Sequence, residues 1–135
     1  MEIKLTRLND FLAFRSTNEE GQSIRIDASS AVGGKGLGMR PMEILASSLA
    51  SCASIDILLI LKKKRIVLKQ YEIRILAERQ FSVPAAFQSI HLVINIGKDD
   101  PMETVEKAAR LSLEKYCSVA ATVHPDCQLT FEVRN

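Results

Sequence analysis

The chain has little of what builds several common function classes. It has no tryptophan and only two tyrosines, and aromatics make up 5% of its 135 residues. Stacking platforms for single-stranded nucleic acid are therefore not expected. Its formal net charge is +2, too small to imply a polyanionic partner. Lys62-Lys63-Lys64-Arg65 forms the single basic run, and it reads as the solvated C-terminal turn of a helix, where cations complement the dipole. With two histidines, three cysteines and no Cys-x-x-Cys, the chain lacks the convergent ligand spacing of a zinc site, so no metal and no cofactor are expected. His124-Pro-Asp-Cys127 stands without further partners, and neither His91 nor His124 has the local context of a triad base. An odd cysteine count argues against a structural disulfide framework. The N-terminal Met-Glu-Ile-Lys-Leu-Thr-Arg has no apolar h-region, so no signal peptide is expected. The longest apolar run, Ala46 to Leu61, is interrupted by four serines and Asp56 and reads as too short for a membrane span. These absences predict a cytoplasmic protein with reduced thiols.

An apolar content of 47% and a charged content of 25% are those of a globular chain able to bury a core. The residues read as one domain, 1–135. Ile3–Leu8, Phe11–Arg15 and Ser23–Asp27 alternate as strands, the last two around a Thr17–Gly21 turn. Val32-Gly-Gly-Lys-Gly-Leu-Gly38 reads as a flexible loop; Gly36 after Lys35 denies it the Gly-Lys-Ser/Thr ending of a phosphate loop. Pro41 opens a helix to Lys64, with Ile44, Leu45, Ser48, Leu49, Cys52, Ile55 and Leu59 recurring at helical spacing. Small residues from Ala46 to Ser54 permit close approach of a neighbour. Tyr71–Arg79 and Gln88–Ile96 alternate as a long hairpin, with Pro84 in its loop. Gly97-Lys-Asp-Asp-Pro101 supplies an Asp N-cap with Pro at N1. A second helix follows, carrying Met102, Val105, Ala108, Ala109, Ser112, Leu113 and Tyr116 on one face. Gln128–Val133 alternates as a last strand. The order βββ-α-ββ-α-β predicts an α+β fold with mostly antiparallel pairing.

The chemistry resides in two cysteines. Cys52 sits mid-helix in Pro41-Met-Glu-Ile-Leu-Ala-Ser-Ser-Leu-Ala-Ser-Cys52-Ala-Ser-Ile-Asp56, and Cys117 ends the second helical run in Glu114-Lys-Tyr-Cys117-Ser-Val. If the helices pack together, the pair is a dithiol/disulfide centre, which requires Cα atoms about 4.4–6.8 Å apart. Asp56 lies at i,i+4 from Cys52, where a carboxylate opposes thiolate formation unless a cation compensates. Lowering a thiol pKa from about 8.5 to about 6 takes about 3.4 kcal/mol, which an arginine shielded from water can supply. Glu43, two turns before Cys52, is placed to orient such an arginine. Cys127, between Asp126 and a strand, reads as a structural thiol.

These segments resemble the first- and second-cysteine motifs of the OsmC/Ohr family, the osmotically inducible and organic-hydroperoxide-resistance proteins. Gly38–Asp56 is similar to the first, and Glu114-Lys-Tyr-Cys117-Ser-Val to the second. The resemblance implies two long central helices packed against antiparallel sheets in an intertwined homodimer. It implies a thiol peroxidase that reduces small organic hydroperoxides without metal, haem or flavin. Cys52 would attack the peroxide and become a sulfenic acid, Cys117 would resolve it as a disulfide, and a dithiol reductant of lipoyl type would reset the pair. Glu43 would hold the activating arginine. In the family's peroxidases that glutamate directly follows a proline, ten residues before the cysteine. Here Met42 holds that place and Glu43 is nine before Cys52. Arg7, Arg15 and Arg40 are the candidate arginines. The alternatives are a redox-sensing or small-molecule-binding dimer of the same fold, and a stress-related protein with inert thiols.

Overall fold

Alternation near the N-terminus is realised as a three-stranded meander. In the computed structural model, which describes residues 1–123 and 125–135, β1 (Ile3–Arg7), β2 (Phe14–Asn18) and β3 (Ser23–Ile26) pair antiparallel in that order. The second strand starts three residues later than the alternation predicts. Asn9 Oδ1 accepts from the backbone N–H groups of Phe11 and Ala13, at 3.0 and 3.1 Å, and Leu8 N–H donates to Ala13 O. Residues 9–13 are thereby consumed in an Asx-type turn. Register pairs Leu5 with Ser16 and Ser16 with Ile24, so Ile3, Leu5 and Ile24 share one sheet face, each at least 50% exposed.

The glycine-rich segment expected to be flexible is instead wrapped around a carboxylate. Asp27, 2% exposed, accepts backbone N–H bonds from Ala28, Lys35 and Leu37 at 2.8–3.0 Å. Gly34 passes so close to Ala28 that a Cβ would lie 1.9 Å from its carbonyl oxygen. No other residue fits there.

The chain forms two compact units, Met1–Leu45 and Ala46–Asn135. The helix α1 (Pro41–Lys63) starts in the first and continues through the second. It ends where Arg65 takes a positive φ of 61° and Ile66 N–H bonds back to Leu61 O, a Schellman-type stop. Lys62 and Lys63 occupy its last turn as expected. Its buried stripe is Ala46, Leu49, Ala50, Ala53, Ile57 and Leu61. The expected face is therefore corrected: Ile55 and Leu59 are 60% and 51% exposed. Apolar residues surround the helix, so periodicity could not select a face, and the small residues allow the closest approach to neighbours. The length argument against a membrane span is corrected too, because α1 is long and apolar enough to cross one by length and composition.

In the second unit, β4 (Tyr71–Arg79), β5 (Phe87–Ile96) and β6 (Gln128–Arg134) form a sheet in that order. β4 pairs antiparallel with β5, but β5 and β6 are parallel. A helical connection between them makes this possible; among the described residues the other three strand pairs are antiparallel, so the pairing is mostly antiparallel as expected, and the implied purely antiparallel sheets are corrected for this sheet. As the central strand, β5 supplies buried Ile90, Leu92, Val93, Ile94 and Ile96. The helix α2 (Met102–Leu111) follows. Asp100 does not cap it as expected. Its carboxylate instead accepts from Gly97, Lys69 and Gln70 N–H, tying two connections together. After Leu111 the helix widens into a π-type turn, Ser112–Tyr116, and breaks at Cys117, which precedes a short α3 (Ser118–Thr122).

Two apolar clusters are stacked along α1. One joins Ile57 and Leu61 to Ile94, Ile96, Val105 and Val133; the other joins Leu49, Ala50 and Ala53 to Ile90, Leu92, Cys117 and Cys127. Each large side chain buried here contributes about 1.5–3 kcal/mol.

Candidate functional site

The second cluster brings the two predicted cysteines together. Cys52 is half-buried on α1, with Asp56 one turn on and also half-buried. Cys117 sits at the break after the π-type turn, 3% exposed. That turn closes with Cys117 N–H on Ser112 O at 2.8 Å, a wide-turn irregularity of the kind that recurs at functional sites. It ends the helix so that the Cys117 sulfur caps α3, accepting from Ala120 N–H at 3.4 Å. The Cys52 sulfur, a carboxylate oxygen of Asp56 and the Cys117 sulfur all lie within 4.8 Å of one another. All three cysteines of the chain are reduced.

Burial pushes the Cys117 thiol up to about 11; the Ala120 N–H opposes this, and the adjacent Cys52 thiol adds to it. Cys117 therefore holds its proton next to Cys52. Ser112 completes the arrangement. Fully buried, its hydroxyl lies 3.1 Å from Asp56 Oδ2, to which it donates, and 3.4 Å from Ala53 O. Sequence patterning placed Ser112 on the core face of the second helix without a role. The available signal was a hydroxyl at a core position, which must find a partner. Asp56, read from sequence as a brake on Cys52, accepts from that hydroxyl and has a carboxylate oxygen within 4.8 Å of both sulfurs. The three sulfur and oxygen atoms can also converge on a metal ion, a donor set that ligand-spacing rules do not search for.

A groove of about 470 Å³ adjoins the cluster at Asp56. Leu59, Ile60, Leu111 and Tyr116 line it, with Lys63 and Lys64 at its edge.

Glu43 is bonded to Arg40, through Nε at 2.9 Å and through the backbone N–H at 2.8 Å. The pair raises the Arg40 pKa and lowers that of Glu43, through their mutual hydrogen bonds first. Of the three candidate arginines, Arg40 is thus the one held by Glu43, within the first unit. Arg7 and Arg15 lie on β1 and β2. Cys127 is buried before β6, and burial pushes its thiol up. His91 faces Thr130 Oγ1 at 2.8 Å and Glu132 Oε1 at 3.3 Å across the β5–β6 pair. His124 lies outside the described residues.

Comparison with known proteins gives a consistent result. Residues 33–132 match the family described as OsmC-like protein. Protein YhfA of Escherichia coli (strain K12) is 33% identical over 120 residues, covering 88% of this chain and 87% of that protein. Among solved structures, a hypothetical protein from Aquifex aeolicus VF5 is 31% identical, with a TM-score of 0.80 over 98% of this chain and 95% of that one. The organic hydroperoxide resistance protein OhrB of Bacillus subtilis shares the fold at 19% identity. Its TM-score is 0.70, over 99% of this chain and 98% of that one.

Proposed function

The chain belongs to the OsmC-like protein family, and on that premise we propose that it is a thiol-dependent peroxidase acting on small organic hydroperoxides. The observation that carries the reading is the approach of the Cys52 and Cys117 sulfurs to within 4.8 Å. The Cys52 thiolate attacks the outer peroxide oxygen, the O–O bond breaks, and the leaving alkoxide takes a proton to become an alcohol. Cys52 is left as a sulfenic acid. The Cys117 sulfur then forms the S–S bond, expelling the hydroxyl as water with the Cys117 proton. A dithiol reductant returns both thiols by exchange. The apolar groove beside Asp56 suits the alkyl part of such a peroxide. Glu43, the glutamate candidate, fixes the Arg40 guanidinium within the first unit.

The protein acts as a homodimer in this reading. A second copy covers apolar surface left open in each unit: Ile3, Leu5 and Ile24 on the first sheet, and Ile55, Leu58 and Leu59 on α1. A helix apolar all round requires such cover. Analytical ultracentrifugation is expected to give twice the chain mass; a monomer at micromolar concentration would remove the dimer from the proposal.

A second reading, a redox-sensing dimer of the same fold, draws on Cys117. A thiol pushed up to about 11 is scarcely ionised at neutral pH and attacks slowly. Kinetics with tert-butyl hydroperoxide and a dithiol reductant separate the two readings. Sustained consumption that Cys52→Ser abolishes supports the enzyme, whereas one equivalent consumed with a Cys52–Cys117 disulfide formed supports the sensor. Unchanged consumption in Cys52→Ser would sink both.

A further inference from the structure

We propose that the reduced Cys52–Asp56–Cys117 cluster binds a thiophilic divalent cation, Zn²⁺ foremost, through three protein ligands with a fourth position open. This rests on the geometry alone and not on the peroxidase reading. Two sulfurs and one carboxylate oxygen within 4.8 Å of each other are the donor types that select zinc over magnesium or calcium. At a Zn–S distance of about 2.3 Å and a tetrahedral angle, two sulfurs lie roughly 3.8 Å apart. The cluster therefore has to contract by only about 1 Å, which side-chain torsion can deliver.

The scaffold is that of a metal site. Cys52 and Asp56 stand at i,i+4 on one helix, the spacing by which helices present two ligands to one ion. Asp56 is oriented by a buried hydroxyl, Ser112 Oγ at 3.1 Å, as ligating carboxylates ordinarily are. Cys117 is held by Ala120 N–H, and N–H bonds to a coordinated sulfur stabilise the thiolate. Cys52 and Asp56 are half-exposed, and the groove at Asp56 gives an ion a way in. On binding, both thiols release their protons to solvent and two S–metal bonds form. The same sulfurs are needed for the disulfide, so metal occupancy and oxidation exclude each other. A free cation of this kind would mask the dithiol until removed.

The test uses the reduced full-length chain without oxygen or peroxide, titrated first with Co²⁺ and then with Zn²⁺. One equivalent of Co²⁺ per chain is expected to give a sulfur-to-cobalt charge-transfer band with the visible bands of a four-coordinate site, both erased by Zn²⁺. Asp56→Asn should weaken binding by more than about tenfold, the lower bound seen even for partners one step removed from a metal. Cys127→Ser should leave it unchanged. Absence of the charge-transfer band at stoichiometric Co²⁺, with all thiols still titrating as free, would overturn the proposal. So would binding that survives Cys52→Ser and Cys117→Ser together, or that is insensitive to Asp56→Asn. None of these outcomes bears on peroxide turnover, which is measured without metal.

Discussion

Cys117 and Cys127 belong to one apolar cluster around Leu49, Ala50 and Ala53, are both nearly inaccessible, and both have burial as the first cause of a raised pKa. They differ in what lies beside the sulfur. Cys117 meets a second thiol and a carboxylate; its backbone N–H closes a π-type turn on Ser112, whose hydroxyl holds that carboxylate. Cys127 heads a strand within the core, outside the sulfur–carboxylate cluster formed among the described residues. Burial by itself makes a thiol inert. Burial next to a second thiol leaves it protonated within 4.8 Å of a sulfur it can bond, which in the proposed reaction is the position of the resolving group.

The sharpest way to break this contrast is to exchange each sulfur for oxygen. With Cys117→Ser, sustained peroxide turnover is expected to fall to background, and mass spectrometry should find Cys52 driven to sulfinic acid under excess peroxide. Cys127→Ser should leave turnover and the disulfide intact, and cost roughly 1–3 kcal/mol of stability as a hydroxyl enters an apolar site. Equal loss of turnover in both variants would erase the distinction. A smaller effect sharpens the same point for carboxylates, where burial with backbone partners anchors loops rather than doing chemistry. Hydrogen bonds led by Leu37 N–H hold Asp27 below the usual carboxylate range, and those led by Lys69 N–H do the same for Asp100; burial opposes both. A folded-state pKa below the unfolded value, about 3.9, stabilises the fold above that pH and is lost as pH falls through the lowered value. Asp27→Asn is therefore expected to lower thermal stability at neutral pH and to flatten its decline below about pH 4. A decline as steep as in the parent chain would show that Asp27 does not anchor the glycine loop.

Much of the fold was legible in local pattern. β4 followed strict alternation, and α1 ran from a proline start to a lysine-rich end. Three misreadings share one cause, a side chain bonding to backbone where period alone is read. Asn9 shortened a strand, Asp27 ordered a glycine loop, and Asp100 left its expected cap to bridge two connections. The face of α1 was illegible for another reason, since a helix apolar on all sides carries no amphipathic signal. At the site, both cysteines could be found from their helices and from the resemblance they carry. Ser112 could not, because its partner Asp56 is fifty-six residues away in sequence.

By itself, the sequence determined that this is an α+β chain with one cysteine inside a helical run and another at the end of a second, because helix and strand periods and residue types are local properties. Only the tertiary structure decided that the cysteines meet, that Asp56 joins them, and that Cys127 does not. Those are distances between elements remote along the chain. They are set by how small residues on α1 let neighbours approach, and by where one widened turn stops a helix.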